Sequence, residues 1–550
     1  MIRSLHLANF KAFGDRQFVP LRPITLVFGP NSAGKSSLLH ALALAHHAQA
    51  TGDLDVHRTT IGGESIDLGG FHQYVHRRDA GRRVEWTLEL ETAGLDPALA
   101  GRFGDAATVA VQLFAGMNQA HSVEIDAVTI LVAGQVFLTM SRREGARLRI
   151  DRLNGAHPLV LRFLDAIIES NTYYQEVRPE DREVVQAVLD ELLPEINAVR
   201  DNFLPRILHG ASATGVLTEP TAGLAPGGDR RESVRRTVQM MAPRWLRDIV
   251  NGLTDAVRME LDHLAYLGPL RSYPPRHVAL APTMDPNWHA GGGSAWDVLR
   301  KDAEVRAKVN AWLSDPKRLS TPYELMVRDL VVQDQLDGPF LESLDEIDAK
   351  GLELAPGEGF VDGEAQVEQV RAAIKDPDAE AGRFLERVRR ADIDRLTEMV
   401  LFDHRTSTVV SHRDVGIGIS QVLPVLVNAY AMKGRCIAIE QPEIHLHPAL
   451  QAELGDVFIQ SALGEARNTF LLETHSEHLV LRILRRIRET GEGTVPAGLP
   501  AIRPEDVSVL YVSTPRKGAS EVVELPVTPD GDFTRDWPDG FFPERTQELF

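Results

Sequence analysis

The residues best suited to chemistry lie near the start of the chain. Gly29-Pro30-Asn31-Ser32-Ala33-Gly34-Lys35-Ser36 fits the spacing G-x-x-x-x-G-K-[ST], and Ser37 follows it. Glycines at both ends let backbone N–H groups converge on phosphate oxygens, and a helix start behind them adds partial positive charge. In that arrangement Lys35 reaches the β and γ phosphates of a nucleoside triphosphate, and the Ser36 hydroxyl ligates Mg²⁺. A second group of candidates lies late in the chain. The apolar run Cys436-Ile-Ala-Ile439 ends in Glu440-Gln441-Pro442-Glu443, and the run Thr469–Glu473 ends in Thr474-His475-Ser476. A strand ending in a carboxylate is how P-loop enzymes hold the water shell of Mg²⁺. A histidine at the neighbouring strand end would touch the γ-phosphate. Gly416-Ile-Gly418-Ile-Ser420-Gln421 precedes an apolar helix and offers backbone donors with a serine at the helix start, a second anion site.

These residues need a frame that brings distant segments together. Ile24–Phe28 is a buried apolar run ending in glycine, and Leu38, Leu39, Ala41, Leu42 and Leu44 continue it as a helix. Val84, Trp86, Leu88 and Leu90 alternate with Glu85, Thr87, Glu89 and Glu91, the pattern of a half-buried strand. Strand-like segments recur at 128–140 and 147–152, so an antiparallel β lobe is expected over roughly 80–155. Residues 158–260 read as mostly helical, with a Gly/Pro-rich break at 210–230. From 398 onward strands and helices alternate as strand 435–440, a helix after Pro448, strand 468–473, helix 477–489 and strand 506–512. That is a parallel α/β pattern, and its two portions at opposite ends of the chain are expected to share one sheet.

Composition bounds the alternatives. The chain has 550 residues, 43% hydrophobic and 25% charged, so disordered and collagen-like classes drop out. Its formal net charge of −19 argues against generic coating of nucleic acid while leaving room for a local basic track. Two arginine sets offer one: Arg230, Arg231, Arg235 and Arg236, and Arg482, Arg485, Arg486 and Arg488, the second also readable as a solvated helix face. A single cysteine, Cys436, excludes a disulfide framework and any multi-Cys zinc site. The opening MIRSLHLANF is not read as a secretory signal, and the most apolar stretch, 420–439, is broken by Asn428, Lys433 and Arg435. A cytoplasmic protein is expected. The stretch 334–380 holds 14 acidic and 3 basic residues and reads as a solvated insertion. His445 and His447, two apart, would not share a helix face, and Asp530-Gly-Asp532 has turn composition.

The opening Ile2-x-x-Leu-x-Leu-x-Asn-Phe-Lys-x-Phe13, the loop GPNSAGKSS and the segments EQPEIHLHP and ETHSEH resemble the SMC/RecF/OLD-like ABC ATPases. Within them the chain is similar to prokaryotic "AAA family" ATPases of Septu- and retron-associated defence systems, which end in a segment like Trp537-Pro-Asp-Gly-Phe-Phe542. The resemblance covers about 1–90 and 260–550. It implies an α/β, ABC-type P-loop ATPase head, a mixed central sheet plus an antiparallel β lobe, carrying a largely helical insertion. The expected divisions are an N-terminal ATPase lobe at 1–155, a helical insertion at 156–260, a return strand and partly acidic insertion at 261–400, a C-terminal ATPase lobe at 401–515, and an acidic extension at 516–550.

The resemblance also implies ATP and Mg²⁺ as cofactors. Two heads would sandwich two ATP molecules, in a homodimer or a higher even-numbered oligomer. Gly29 to Ser37 then forms the Walker A loop, Gly416 to Gln421 the signature that faces a partner's loop, Glu440 the Walker B carboxylate and His475 the switch histidine. Gln73, in Gly69-Gly70-Phe71-His72-Gln73, is the Q-loop candidate and with Ser36 and Glu440 completes the implied metal set. By the same resemblance the protein gates a separately encoded nuclease or toxin in anti-phage defence; the alternative is a RecF/SMC-like ATP-dependent DNA clamp. No membrane partner and no Toprim nuclease domain are expected. One departure matters. Most relatives carry Asp-Glu at the end of the Walker B strand, where this chain has Glu440-Gln441. Glutamine cannot accept a proton from water, and general base catalysis is worth roughly 10²–10⁴-fold. Either Glu443 serves as the base or Gln441 only orients the water, and slow but real hydrolysis is expected. The signature also lacks the Ser-Gly-Gly order of relatives.

Overall fold

Short apolar runs without polar alternation become strands covered on both faces, and here they build the sheet that carries the phosphate loop. In the computed structural model the described residues are 2–142, 148–170, 179–207, 230–272, 285, 287–316, 318, 320–331, 395–410, 417–514 and 518–535. The acidic stretch 334–380, Gly416 and Trp537–Phe542 lie outside them, as do the side chains of Arg230, Arg231 and Arg235.

The chain opens with β1 (Ile2–Ala8), β2 (Gln17–Pro20) and β3 (Ile24–Phe28), which runs into α1 (Lys35–Thr51). There follow α2 (Phe71–Tyr74), β4 (Val84–Glu91), α3 (Pro97–Phe103), β5 (Thr108–Met117), β6 (Val123–Val132), β7 (Gln135–Arg142) and β8 (Leu148–Leu153). Next come α4 (Pro158–Ser170), α5 (Pro179–Leu192), β9 (Asn197–Asp201), β10 (Leu204–Ile207), α6 (Arg230–Asp262) and β11 (Leu264–Leu267). The middle of the chain supplies α7 (Gly293–Lys301), α8 (Ala303–Ser314), β12 (Tyr323–Val331), β13 (Arg395–Asp403) and β14 (Thr408–Val410). The last stretch is α9 (Ile417–Ala431), β15 (Cys436–Glu440), α10 (Pro448–Leu463), β16 (Thr469–Glu473), α11 (Glu477–Glu492), β17 (Val507–Ser513) and β18 (Glu521–Glu524).

The central sheet has the order β11-β15-β16-β3-β17-β18, parallel except for the β17–β18 edge. Both ends of the chain contribute to it, as the sequence pattern implies. Every residue of β3, β15 and β16 is buried, which is why these strands read as continuous apolar runs. The helix α1 is apolar on nearly every side and buried along most of its length. In α11, Leu479, Val480, Ile483, Leu484 and Ile487 form the buried stripe; Ser476 caps its start and left-handed Gly493 its end.

A nine-stranded antiparallel sheet runs β10-β9-β8-β7-β6-β5-β4-β1-β2. It is wider than the lobe at 80–155 that alternation alone suggests. β1 pairs with β2 and β4, and β9–β10 extend the far edge. The mostly helical reading of 158–260 holds in α4, α5 and α6, with the addition of a hairpin between α5 and α6 that turns at Asn202, whose φ is 57° and whose side chain donates to the carbonyl of Gln49. The parallel alternation likewise begins at Ile417 and not at 398, because β13 pairs antiparallel with β12 and β14 in a separate three-stranded sheet.

The chain divides into two compact units, one of Met1–Ser272, Asp285–Leu299 and Gly416–Phe550, the other of Tyr273–Met284 and Arg300–Val415. In the second unit Asn310 of α8 holds Leu325 of β12 by exchanging both backbone hydrogen bonds with its side-chain amide. Among the described residues no helix is long and apolar enough to cross a membrane.

Trp86, with Trp312 among the largest fully buried side chains of the described residues, lies edge-on to Phe203 of the hairpin at 5.7 Å and donates to the carbonyl of Ala41 in α1. Trp86→Ala is expected to cost about 3–5 kcal/mol, the range for deleting a buried aromatic ring. A urea midpoint within experimental error of wild type would contradict this placement.

Candidate functional site

Parallel strands open their C-terminal ends to one edge, and ligands bind in α/β sheets at that edge. Register aligns Glu440 with Glu473 and Glu473 with Val27, so the last residues of β15, β16 and β3 meet there. The loop after β3 needs its glycines. Gly29 has φ 141°, and a Cβ on it would collide with the carbonyl oxygen of Val512. Gly34 has φ 105° as the N-cap of α1, and a Cβ there would lie 2.8 Å from that of Ala12. Ser32 is also left-handed, with φ 63°, and Ala33 is fully buried beneath the loop.

The result is a cleft of about 350 Å³ lined by Lys11, Asn31, Ser32, Gly34, Lys35, Ser36, Ser37, His40, Gln441, Glu473 and His475, with Ala12 at its side. Lys35, only 4% exposed, donates to the carbonyl of Pro30 at 3.0 Å and lies 3.9 Å from Glu473. Burial lowers its pKa, opposed by Glu473, Glu440 and Glu443. Gln441 is left-handed at φ 45°, anchored by its N–H on the carbonyl of Glu473 at 2.7 Å. A non-glycine residue held in that region is uncommon, and such residues gather where a site demands them. His475 faces the opening and is held below its ordinary pKa by burial and by Lys35.

Three carboxylates at this edge have different surroundings. Burial alone would raise Glu440, but hydrogen bonds from His40 (3.0 Å) and Tyr266 (2.6 Å), with Lys11 nearby, bring it below the usual carboxylate range. Glu443 accepts the backbone N–H of His475 at 2.7 Å and a hydrogen bond from Thr474, yet burial keeps it raised. Glu473 is pushed up to about 7, by burial first and then by Glu440, against a hydrogen bond from Ser36 and the charge of Lys35. Of the three, only Glu473 lines the cleft.

The remaining expected residues fall elsewhere. Ser420 is fully buried, and Gln421 donates to the carbonyl of Arg271 at 3.0 Å, so both face into their own chain. Gly418 packs so closely that a Cβ would meet the carbonyl oxygen of His445 at 2.7 Å. Gln73 is exposed and lines a neighbouring cleft of about 750 Å³ with Asp67, Arg77 and Arg78, a cleft that shares Lys11 with the first. His447 caps α10. Asp530 and Asp532 sit in a turn, where Arg488 reaches both. The second arginine set is not a free track: Arg482 and Arg486 converge on Asp456 of α10, with Glu453 and Glu489 completing the network. Cys436 is buried and its thiol pushed up to about 12.

Sequence reasoning missed Lys11, His40, Tyr266, Arg271 and Glu473. Arg271 is buried and donates to the carbonyls of Gln421, Glu440 and Gln441, fixing the end of β15 against the start of α9. An isolated arginine after a short strand carries no spacing signal. Glu473 did carry one, a carboxylate ending a strand like Glu440, and the histidine two residues on drew attention from it.

The donor set fits a triphosphate and its cation: a buried ammonium, convergent loop amides, a serine at the helix start and carboxylates behind. Lys11 gives the site a pH dependence. Burial lowers it from 10.5 to about 8, with Glu440 and Asp67 opposing. Between about pH 8 and about 10.4 the folded chain binds fewer protons here than the unfolded one, so this residue's contribution to stability rises with pH. Relative to Lys11→Met, wild type is expected to gain urea resistance between pH 7 and pH 10. A difference that stays constant would contradict the burial of this ammonium.

Known families match in three segments. One described as an AAA domain matches residues 4–95, one described as "AAA domain, putative AbiEii toxin, Type IV TA system" matches 291–482, and a family described as a protein of unknown function (DUF3696) matches 502–550. No curated protein matches. Similar solved structures include an SMC head bound to the C-winged helix domain of ScpA, at 10% identity over 96% of this chain and 97% of that one, with a TM-score of 0.36. Another is the Smc head with an extended coiled coil bound to the C-terminal domain of ScpA from Pyrococcus furiosus, at 10% identity, 100% and 98% coverage and a TM-score of 0.35. The SMC head domain from Thermotoga maritima aligns at 9% identity, 96% and 99% coverage and a TM-score of 0.32. The two AAA-domain matches contain the phosphate loop and the strand ends that face it, so both sides of the cleft lie in segments similar to AAA-type ATPase domains.

Proposed function

We propose that the protein binds ATP with Mg²⁺, closes two copies of itself around the nucleotide, hydrolyses it slowly, and thereby gates a separately encoded nuclease or toxin in prokaryotic anti-phage defence. The observation that carries the nucleotide part is the cleft in which Lys35, Ser36, Gln441, Glu473 and His475 converge beneath a glycine-strained loop. The loop amides and Lys35 bind the phosphates, and the Ser36 hydroxyl holds the cation. When bound, Mg²⁺ would supply charge neutralisation for the transferred phosphoryl group. Glu440 acts from behind by orienting His40, and His475, which lines the cleft, would contact the γ-phosphate. Gln73, at the neighbouring cleft, would have to swing inward to join the metal.

Gln441 supports the slow turnover. It lines the cleft where relatives of this kind place a catalytic glutamate, and its amide can orient a water but not deprotonate it. The signature segment is proposed to meet a second copy, although Ser420 and Gln421 are turned inward in the single chain. The defence role and the toxic partner rest on the resemblance of the motifs and on the family matching 291–482, whose description names a toxin of a type IV toxin–antitoxin system. The protein is proposed to work in the cytoplasm.

Calorimetry with ATP and Mg²⁺ is expected to show saturable binding that Lys35→Ala abolishes, with light scattering showing ATP-dependent doubling of mass. Steady-state turnover is expected to stay below about 10 s⁻¹, the median for enzymes. Purification of the native complex with its genomic neighbours would reveal the effector. Absence of ATP affinity defeats the whole reading, and tight, salt-sensitive binding of duplex DNA by the isolated protein would favour the clamp.

A further inference from the structure

Gln441 leaves hydrolysis without a proton acceptor at the usual strand end, and the fold brings another carboxylate to the cleft. We infer that Glu473, at the end of the strand lying between β15 and β3, is the catalytic residue that orients the attacking water and takes its proton. This rests on the reading of the cleft as an ATP site.

The placement is the argument. Glu473 lines the cleft together with Lys35, Ser36, Gln441 and His475. Its Oε1 lies 3.9 Å from the Lys35 ammonium, while its buried Oε2 has no hydrogen-bond partner among the described residues. An orphaned buried oxygen is costly until a small rotation brings it a partner, and the cleft that Glu473 lines is where such a partner would come from. The rival carboxylates do not line the cleft. Glu440 accepts from His40 and Tyr266 through one oxygen, and Glu443, whose Oε2 is also buried without a partner among the described residues, holds the N–H of His475 through Oε1. Gln441 lies beside Glu473, its N–H on that residue's carbonyl, so an amide and a carboxylate stand side by side to grip one water.

The step balances without a further reactant. The water oxygen bonds to the γ-phosphorus as the bond from that phosphorus to the β–γ bridging oxygen breaks. The bridging oxygen keeps the electron pair and leaves on ADP. The water's proton passes to the Glu473 carboxylate, which becomes a neutral acid and later releases it to solvent.

The test compares Glu473→Gln with wild type in the full-length chain, measuring ATP affinity by calorimetry and hydrolysis in a single turnover. Removing a negative charge beside the phosphates should leave ATP affinity equal or tighter, while hydrolysis falls at least 10²-fold, the lower bound for losing a general base. The variant should therefore keep its ATP intact and stay self-associated after wild type has converted it. Hydrolysis within threefold of wild type overturns the assignment, as does loss of ATP affinity, which would make Glu473 a holder of Lys35. A comparable loss in Glu443→Gln with normal turnover in Glu473→Gln moves the base to Glu443 and also overturns it. Failure of wild type itself to bind ATP is a different result, and it removes the underlying reading first.

Discussion

Three carboxylates share one buried strand-end edge, and everything around the phosphate loop answers to their charge. Like charges out of water cannot all ionise unless cations and hydrogen bonds meet them. The structure divides the solution. Glu440 is held charged by hydrogen bonds from His40 and Tyr266, Glu443 takes a backbone N–H, and Glu473 has a nearby ammonium in Lys35. The buried guanidinium of Arg271 adds positive charge facing Glu443 while tying the carbonyls at the end of β15. A triphosphate entering this edge meets Lys35 already desolvated and already partly spent on a carboxylate. Binding therefore exchanges one anion for another at the ammonium and frees Glu473 to act on water.

The loop geometry follows from the same constraint. Lys35 must leave α1 at its first turn and fold back across the loop to the carbonyl of Pro30, which places its charge inside the curve of backbone amides. That path is open only if the backbone at Gly29 and Gly34 takes φ values that side chains avoid, with Val512 and Ala12 packed where a Cβ would go. The packing of β17 and of the N-terminal segment thus shapes the phosphate loop, although β17 carries no motif residue and Ala12 fills an unspecified position of the opening motif.

What was legible in the sequence had short-range spacing. The phosphate loop, the all-buried strands β3, β15 and β16, and the capped helix α11 declare themselves within a window of ten or so residues, because their periodicity and punctuation are local. The wider antiparallel sheet was not legible: β1 pairs with β4 across some eighty residues, and the hairpin at Asn202 is two short strands inside a helical stretch. Arg482 and Arg486 read as a surface face because helical spacing places them together; what it cannot place is Asp456, a turn of α10 packed opposite. The inward placement of Gln421 was not legible either, because Arg271, which accepts from its side-chain amide and holds its carbonyl, lies far off in sequence.

A glutamate at 440, in place of the shorter aspartate, has a physical consequence of its own. One extra methylene carries the carboxylate far enough to meet both His40 of α1 and Tyr266 of β11. While Lys11 is charged it can only donate, so His40 accepts at Nδ1 over 2.8 Å and must donate from Nε2 to Glu440. A directed line of hydrogen bonds thus runs from the N-terminal segment through the loop helix to the end of β15, and its first member lines the cleft. An anion placed beside Lys11 would draw that ammonium toward it and loosen its hold on His40. Glu440, with one donor weakened, would then press its charge harder on Glu473, the carboxylate nearest the phosphates. In this chain the glutamate is better understood as the far end of a lever reaching the N-terminal segment than as a lengthened copy of an aspartate.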